Sequence, residues 1–561
     1  MTWPSERRWP RRGVVMAVSL ALCLPALKAD FFTDDHVLLA EIEGRLPGVR
    51  AWDLYSFCPD AAALKRTLDA GAYPWWTNPE VRLRLFRPLP SLLMSAEHAA
   101  FGRRALGYHL VTLAVFAAML LAASRVLRAA LPGAPALAGV AFAVFAWNDL
   151  QAQPAMWLAD RHAVLAALFG FLGVWLHVRR REQGGSWGGA ASLGASAVGL
   201  LCSEVGLQPL AYVLAYEALR RRKPGPVLPA AALAVGYLVA YRALGYGTQG
   251  SGIYLDPGSD PAGFLLALPS RLLAFAADLL AGAPLDLWLF SPLIRPVLIG
   301  GGLLALALFG WALWRVGPLD ESSSGVRWLL AGAVMAAVAA TPGAPGSRLL
   351  LVPGLGVAAG LAALVLRLPG RSRAWGALGV VVVVVHLVLQ PIQLLVQVLT
   401  IDFVGRRAEA IAWAAPVPER EGVDVGLIGV EDPQVGIYAG LQRLLSDRRP
   451  RSWRLLTGAG CEHQLTPVGR DALDVKLVGC RLMETEWERL FNARPFAAGD
   501  TFQLSGLKVE VTGVAEGAPT RLRFTFARAL DDPDLVLLTW RNGAFRRIEL
   551  PPGGATVVLR P

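Results

Sequence analysis

From residue 108 onward the chain alternates apolar runs with short polar breaks. The runs cover 108–124, 135–147, 162–178, 188–203, 205–219, 226–243, 296–314, 327–341, 349–366 and 375–397. They are roughly 15 to 22 residues long, near the ~20 that carry a helix across a bilayer. A further run, GVVMAVSLALCLPALKA, lies behind the basic flank RRWPRR near the N-terminus. A cleaved secretory signal needs small residues just before its cleavage point. Leu27 and Lys28 break that pattern ahead of Ala29, and Leu22 is too large for a lipobox before Cys23, so an uncleaved first span is expected.

The polar breaks alternate in charge. Arg125 and Arg128, Arg179 to Arg181, Arg220 to Lys223, Arg315 with Arg327, and Arg367 with Arg371 and Arg373 mark every second break. Between them fall NDLQAQPAMWLAD, GTQGSGIYLDPGSD and GAPGS, with few basic residues. Basic loops stay on the cytoplasmic side, so this alternation predicts about eleven transmembrane helices over residues 1–401 with the N-terminus cytoplasmic. Residues 262–281 then form an amphipathic helix in the outer interface. No repeat of 20 to 50 residues is visible.

Two segments stand apart. Residues 29–107 form a polar stretch after the first span, too long for a connector and suited to a functional extracytoplasmic loop. Its PWW cluster, Pro74 to Trp76, reads as an interfacial aromatic belt in preference to a sugar platform. Residues 402–561 read as an extracytoplasmic α+β domain: VDVGLIGV as a buried strand, VGIYAGLQRLLSDR as an amphipathic helix, then strands in FQLSGLKVEVTGV, TRLRFTFARAL, DLVLLTW and ATVVLRP.

Composition agrees with this layout. The 561 residues are 54% hydrophobic and 17% charged, against about 45–50% and 25% in soluble domains. The net charge of +11 does not indicate nucleic acid, because residues 402–561 carry 21 basic and 21 acidic side chains and the excess lies between the apolar runs. The five cysteines form no metal spacing. Cys461 and Cys480 both fall in the C-terminal domain, on an oxidising side where they can pair or stay free.

Two adjacent carboxylates, Asp34 and Asp35, follow the first span. Like charges so close raise each other's pKa unless a cation or a reacting proton uses them. The competing reading is helix capping, with Thr33 or Asp34 at the N-cap of DHVLLAEIEGRL. Arg87, Arg161, Glu204 and Arg348 would lie at the same membrane face, and a carboxylate such as Glu204 is costly at membrane depth unless it sits in a cavity or a pair. Each arginine alone is equally explained by snorkelling.

The pieces FFTDDHVLLA, FRPLPSLLMSAEHAAFGRRALGYHL, AMWLADRHAVLAALF, LLCSEVGLQPLAYVLAYEAL and SRLLLVPGLGVAAGLAAL run in order over residues 30 to 365. In that order they resemble the GT-C superfamily of polytopic glycosyltransferases, especially bacterial relatives of protein O-mannosyltransferases. The resemblance implies a GT-C-like fold and inverting sugar transfer from a polyprenyl-phosphate donor to a hydroxyl of a glycan, lipid or protein acceptor on the extracytoplasmic face of the plasma membrane. It places the family's catalytic aspartates on Asp34 and Asp35, its outer-loop arginine on Arg161, its Ser/Lys-Glu motif on Glu204 and its later arginine on Arg348. His162 departs from the pattern, and the tail lacks tetratricopeptide helices. Chemically, one aspartate would take the acceptor proton, an arginine would hold the departing phosphate, and Arg87 and Glu204 would bind or orient substrate. No cofactor is required; a divalent cation could sit on the aspartate pair, although no further carboxylate at ligand spacing accompanies it. Two other readings stand beside this one: a transporter or flippase of lipid-linked substrates, which commonly shows internal repeats, and a non-catalytic scaffold whose aspartates only cap a helix.

Overall fold

The computed structural model describes residues 11–46, 50–58, 60–184, 188–221, 225–317, 320–368, 372–430, 433–444, 446, 449–551 and 554–560. The basic flank before Arg11, and Arg222, Lys223 and Arg371 of the basic breaks, lie outside the described residues.

Helix α1 (Arg12–Cys23) continues as a 3-10 turn to Lys28. The first loop holds α2 (Asp34–Ile42), α3 (Ala61–Ala70), strand β1 (Arg82–Arg84) and α4 (Pro88–Phe101). The bundle continues as α5 (Ala105–Ala130), α6 (Pro135–Ala146), α7 (Ala152–Met156), α8 (Arg161–Gln183), α9 (Gly188–Cys202), α10 (Leu207–Tyr216) and α11 (Leu228–Ala243). After strand β2 (Gly247–Gln249) come α12 (Pro261–Ala281), α13 (Leu287–Phe290), α14 (Arg295–Val316), α15 (Asp320–Ala340), α16 (Leu351–Arg367), α17 (Arg373–Val383) and α18 (Gln390–Ala414). The chain is thus a helical, multi-pass membrane protein. Among the described residues seven stretches are long and apolar enough to cross a bilayer, including Ala105–Ala130, Ser347–Arg367 and Arg373–Ala414, and three shorter apolar helices accompany them. Helix α16 is buried at the centre of the bundle. By contrast, Leu228, Val235 and Val239 of α11 and Val297 and Trp314 of α14 are exposed. Exposed apolar side chains of this kind face lipid in a membrane protein.

Helix α12 has the length and hydropathy of a span, yet its start, middle and end are tied to the end of the bundle that carries the first loop. Asp256, just before it, takes Arg242 Nη1 at 2.6 Å; Arg271 donates to the carbonyls of Ile253 and Gly343 at 2.6 and 2.7 Å; Asp278 takes Ser347 Oγ at 2.6 Å. Near its end, Leu280 O also meets His386 Nε2 of the last helical stretch at 3.1 Å.

The last span does not stop at the membrane. Residues 373–414 form one helical stretch of 42 residues, about 63 Å at 1.5 Å per residue, roughly twice the hydrocarbon thickness. It passes through Asp402 and ends at Ala414. Beyond it the α+β domain has two sheets. Strands β3 (Asp424–Ile428), β4 (Ser452–Leu455) and β10 (Leu535–Arg541) run parallel, with β11 (Ala544–Arg547) antiparallel on the edge, in the order β11-β10-β3-β4. Helix α19 (Pro433–Leu444) is the crossover from β3 to β4. The second sheet is antiparallel: β5 (Glu462–Val468), β6 (Ala472–Val478), β7 (Thr501–Leu504), β8 (Leu507–Ala515), β9 (Ala518–Phe526) and β12 (Val557–Leu559), ordered β12-β5-β6-β9-β8-β7. Cys461 and Cys480 form a disulfide beside the paired ends of β5 and β6. A short α20 (Glu486–Arg489) opens on a capping box at Thr485.

The Trp75–Trp76 pair corrects the sequence reading. It is not an interfacial belt: both rings are buried in the core of the C-terminal domain. Trp75 Nε1 donates to Leu456 O at 2.9 Å, and Trp76 Nε1 to Glu488 O at 3.0 Å. The domain offers two carbonyls that no strand pairing uses, and the indole N–H groups satisfy them while the rings fill the core. Nearby, Gly71 ends α3 at φ 81, and any Cβ there would meet Trp453 O at 2.2 Å, so the helix docks directly on the domain's backbone. Trp76→Ala should destabilise the C-terminal domain by about 3–5 kcal/mol, read as a lower thermal midpoint and faster proteolysis of residues beyond 414; an unchanged midpoint would refute this anchoring role.

Candidate functional site

Asp34 and Asp35 open helix α2, and consecutive residues on a helix point about 100° apart. Their environments therefore diverge. Asp35 is buried, and its carboxylate accepts Phe32 N–H at 2.9 Å and Ala159 N–H at 2.7 Å. It ties the loop to the turn before α8. Thr33 sits at the N-cap but makes no side-chain cap bond, and its φ of 44 is one that β-branched residues avoid. The capping reading is thus corrected: neither Thr33 nor Asp34 caps α2, and the reach-back bond to the loop comes from Asp35.

Asp34 is only partly buried and turns the other way. Its Oδ1 accepts the hydroxyl of Tyr438 at 2.6 Å, across 404 residues. Tyr438 comes from α19, so the C-terminal domain closes over the first loop at this point. Gln442 Nε2, one turn on, lies 3.2 Å from His36 Nε2. Tyr438 lines two cavities, and Asp34 lines the smaller of them. One, of about 100 Å³, is lined by Asp34, Tyr73, Leu85, Tyr254, Tyr438 and Phe491. The other, of about 420 Å³, lies between Phe31, Phe32, Phe403, Arg407, Tyr438 and Trp540, beside the emerging last helix. Burial raises the pKa of Asp34 above the ordinary aspartate range, although the Tyr438 bond and the charges of Arg348 and Arg87 pull it down. Burial pushes Asp35 up to about 8 against its two backbone donors.

The four predicted partners separate into distinct roles. Arg87, at the start of α4, pairs with Glu204 through Nε at 3.2 Å and through Nη2, and lies 4.8 Å from the centre of the Tyr55 ring. Burial alone would raise Glu204, but the Arg87 guanidinium brings it down to about 2. Arg348 lies 3.4 Å from Gln153 Oε1 and 4.0 Å from Asp160, over the Trp157 ring at 5.8 Å. It is the loosely held cation of the group. Arg161 differs: it is 2% exposed and forks onto Glu97 at 2.7 and 2.5 Å, with Thr112 Oγ1 at 3.2 Å. The structure commits it to a buried pair. His162 bridges Asp160 at 3.3 Å and Ser203 Oγ at 3.1 Å, fixing the turn that carries Ala159.

Glu97 and Tyr438 escaped the sequence reading. Glu97 had a signal, a carboxylate in LLMSAEHAAF just before a span, that should have been paired with the basic residue of a later span. Tyr438 had none, since its role depends on a contact between segments far apart in the chain. Among the described residues no group of three or more His, Cys, Asp or Glu side chains is arranged to hold a metal ion.

No family model matches the chain, and no curated protein matches it. Solved structures with similarity to this chain include three described here. The archaeal oligosaccharyltransferase AglB from Archaeoglobus fulgidus, in complex with an inhibitory peptide and a dolichol-phosphate, is 12% identical over 79% of this chain, with a TM-score of 0.42. This chain covers 64% of that protein, less than two thirds of its length. ArnT from Cupriavidus metallidurans bound to undecaprenyl phosphate is 14% identical over 81% of this chain and 93% of its own, with a TM-score of 0.36. Its apo form is 15% identical over 77% and 84%, with a TM-score of 0.40.

Removing one partner of a buried ion pair strands the other charge and costs about 3–5 kcal/mol, whereas replacing both by apolar residues is often neutral. Glu97→Gln should therefore lower thermal stability in detergent by that amount, and the double change Glu97→Leu with Arg161→Met should recover most of it. A double variant no more stable than Glu97→Gln would show that Arg161 serves something other than this pair.

Proposed function

We propose that the chain transfers a sugar from a polyprenyl-phosphate donor to an acceptor hydroxyl, with inversion, at the membrane face that carries the first loop and the C-terminal domain. On this reading that face is extracytoplasmic and the N-terminus cytoplasmic, in keeping with the basic breaks at the opposite ends of the spans. The observation that supports it most is the Asp34 carboxylate, which already holds a hydroxyl, that of Tyr438, at 2.6 Å on the wall of a cavity. An acceptor hydroxyl placed as the Tyr438 hydroxyl is would be within proton-transfer reach.

The acceptor oxygen attacks the anomeric carbon and the bond from that carbon to the phosphate oxygen breaks. The acceptor proton passes to Asp34, and the phosphate leaves with the bonding electrons. Because phosphate leaves readily as an anion, a base and a cationic clamp suffice. Arg348 is suited to the clamp: its guanidinium keeps its charge, presents a fork to phosphate oxygens and is not locked into a buried pair. Arg87 and Glu204 neutralise each other, so their part is to position Tyr55 and the loop beneath the site. The acceptor can be a glycan, lipid or protein hydroxyl.

With purified protein and a polyprenyl-phosphate sugar, Asp34→Asn should slow donor consumption by about 10²–10⁴-fold, the usual worth of a positioned base. Asp35→Asn leaves one of two backbone N–H groups, Phe32 or Ala159, without its carboxylate acceptor and should cost about 1–3 kcal/mol of stability instead. Equal turnover by wild type and Asp34→Asn would overturn the assignment.

The pH dependence gives a separate check. Asp34 acts deprotonated, so kcat/KM should fall as pH drops through its raised pKa, with an acid limb above the ~3.9 of a free aspartate. The Tyr438 bond holds that pKa down; Tyr438→Phe should therefore move the limb to higher pH. A limb that stays in place would separate Tyr438 from the base.

A further inference from the structure

At the end of the bundle opposite Asp34, a cavity of about 510 Å³ opens between α1, α5 and α6. Arg11, Arg12 and Arg128 line it, with Ser124 and the first turn of α6 from Pro135. Arg12 also feels the repulsion of Arg125, which stacks on Trp175 at 5.1 Å. Among the described residues no carboxylate pairs with any of these four arginines. Two other arginines at the same end are matched, Arg181 with Glu217 and Arg221 with Glu182. Loop topology alone places arginines at this face, but it does not gather three of them around one space, with a fourth close by, and leave them without a paired acid among the described residues. Like charges at short range repel, more so where protein and lipid displace water, and the arrangement is relieved by an anion among them.

The backbone adds to the same field. Neither α1 nor α6 has a side-chain cap or an acid in its first turn, so the positive ends of two helices add to the arginine charge. The arginines sit at the ends of apolar runs, which puts the mouth of the cavity at the membrane surface. At ~30 Å³ per water the space equals roughly seventeen waters, room for more than a bare phosphate.

We infer that this cavity binds the phosphate headgroup of an anionic membrane phospholipid. The site is independent of the sugar-transfer reading. Two guanidiniums hold the phosphate oxygens while the acyl chains lie against the apolar surface of α5 and α6. Its occupancy fixes the start of α1, and with it the span that leads to Asp34.

The test uses the full chain in detergent, with retention of phosphatidylglycerol against phosphatidylethanolamine read by native mass spectrometry. At ~1 kcal/mol per basic residue, Arg12→Gln with Arg128→Gln should weaken phosphatidylglycerol retention about thirty-fold. Arg373→Gln, at the same end but away from the cavity, should leave it unchanged. If the double variant does not fold, Arg128→Gln alone, at an exposed position, carries the test with about a five-fold loss. Unchanged retention in the cavity variants, or an equal loss in Arg373→Gln, would overturn the site. Displacement of the lipid by millimolar inorganic phosphate would assign the cavity to free phosphate and overturn the lipid reading.

Discussion

The geometry of the candidate site depends on the burial of Trp75 and Trp76 in a domain that begins more than 300 residues later. The apolar residues of the first loop are divided among several small clusters that other segments complete. Ordering the loop costs chain entropy, and its neighbours help to offset it. They do so on three sides. The tryptophans enter the C-terminal domain; β1 pairs with β2 from the loop after α11, Arg84 opposite Gly247; and Asp35 grips the backbone of Ala159. Further backbone bonds, Asn78 N to Phe491 O and Gly252 N to Arg489 O, both at 2.9 Å, close the frame. The C-terminal domain is therefore the mould in which the first loop sets, and it also delivers Tyr438 to Asp34.

The second constraint is electrostatic. A polar residue near hydrocarbon is tolerated when it is paired or faces a cavity. Arg161 and Glu97 pair completely in the bundle, and Arg87 and Glu204 pair at its surface. Once these cations are accounted for, Arg348 is the site arginine with only long contacts, to Gln153 and Asp160. Its availability follows from what the other arginines are doing.

Much of the fold was legible in the sequence because both of its signals are local. Apolar runs marked the spans and the buried strand β3, and partial alternation marked β8 and β9. Strands β4 to β6 escaped the reading, although β6 alternates Leu473, Val475 and Leu477 with polar positions; β5, EHQLTPV, carries few apolar residues and is set by its pairing with β6. The disulfide was open from sequence and is formed, since β5 and β6 bring its ends together. The site was legible as a set of residues on one face, but not as contacts. Nothing local distinguishes Arg161 from Arg348: each lies beside an apolar run, and only the position of Glu97 makes one a structural pair. The tryptophans misled for the same reason, because an aromatic pair near a membrane looks alike whether it meets headgroups or a protein core.

The choice between Asp34 and Asp35 shows how one turn of helix divides two chemically identical groups. At the first turn of α2 they cannot both face inward, because successive positions diverge by about 100°. Asp35 takes the inward direction and spends both oxygens on backbone N–H groups. A carboxylate so engaged is a poor base, since accepting a proton would cost it a hydrogen bond. Asp34 takes the outward direction, where its described partner is a hydroxyl and its second oxygen is uncommitted. Thr33, immediately before the pair, takes a positive φ of 44 that β-branched residues avoid. The pair thus divides its work: the buried member fixes the loop to Ala159, and the partly buried one lines a cavity.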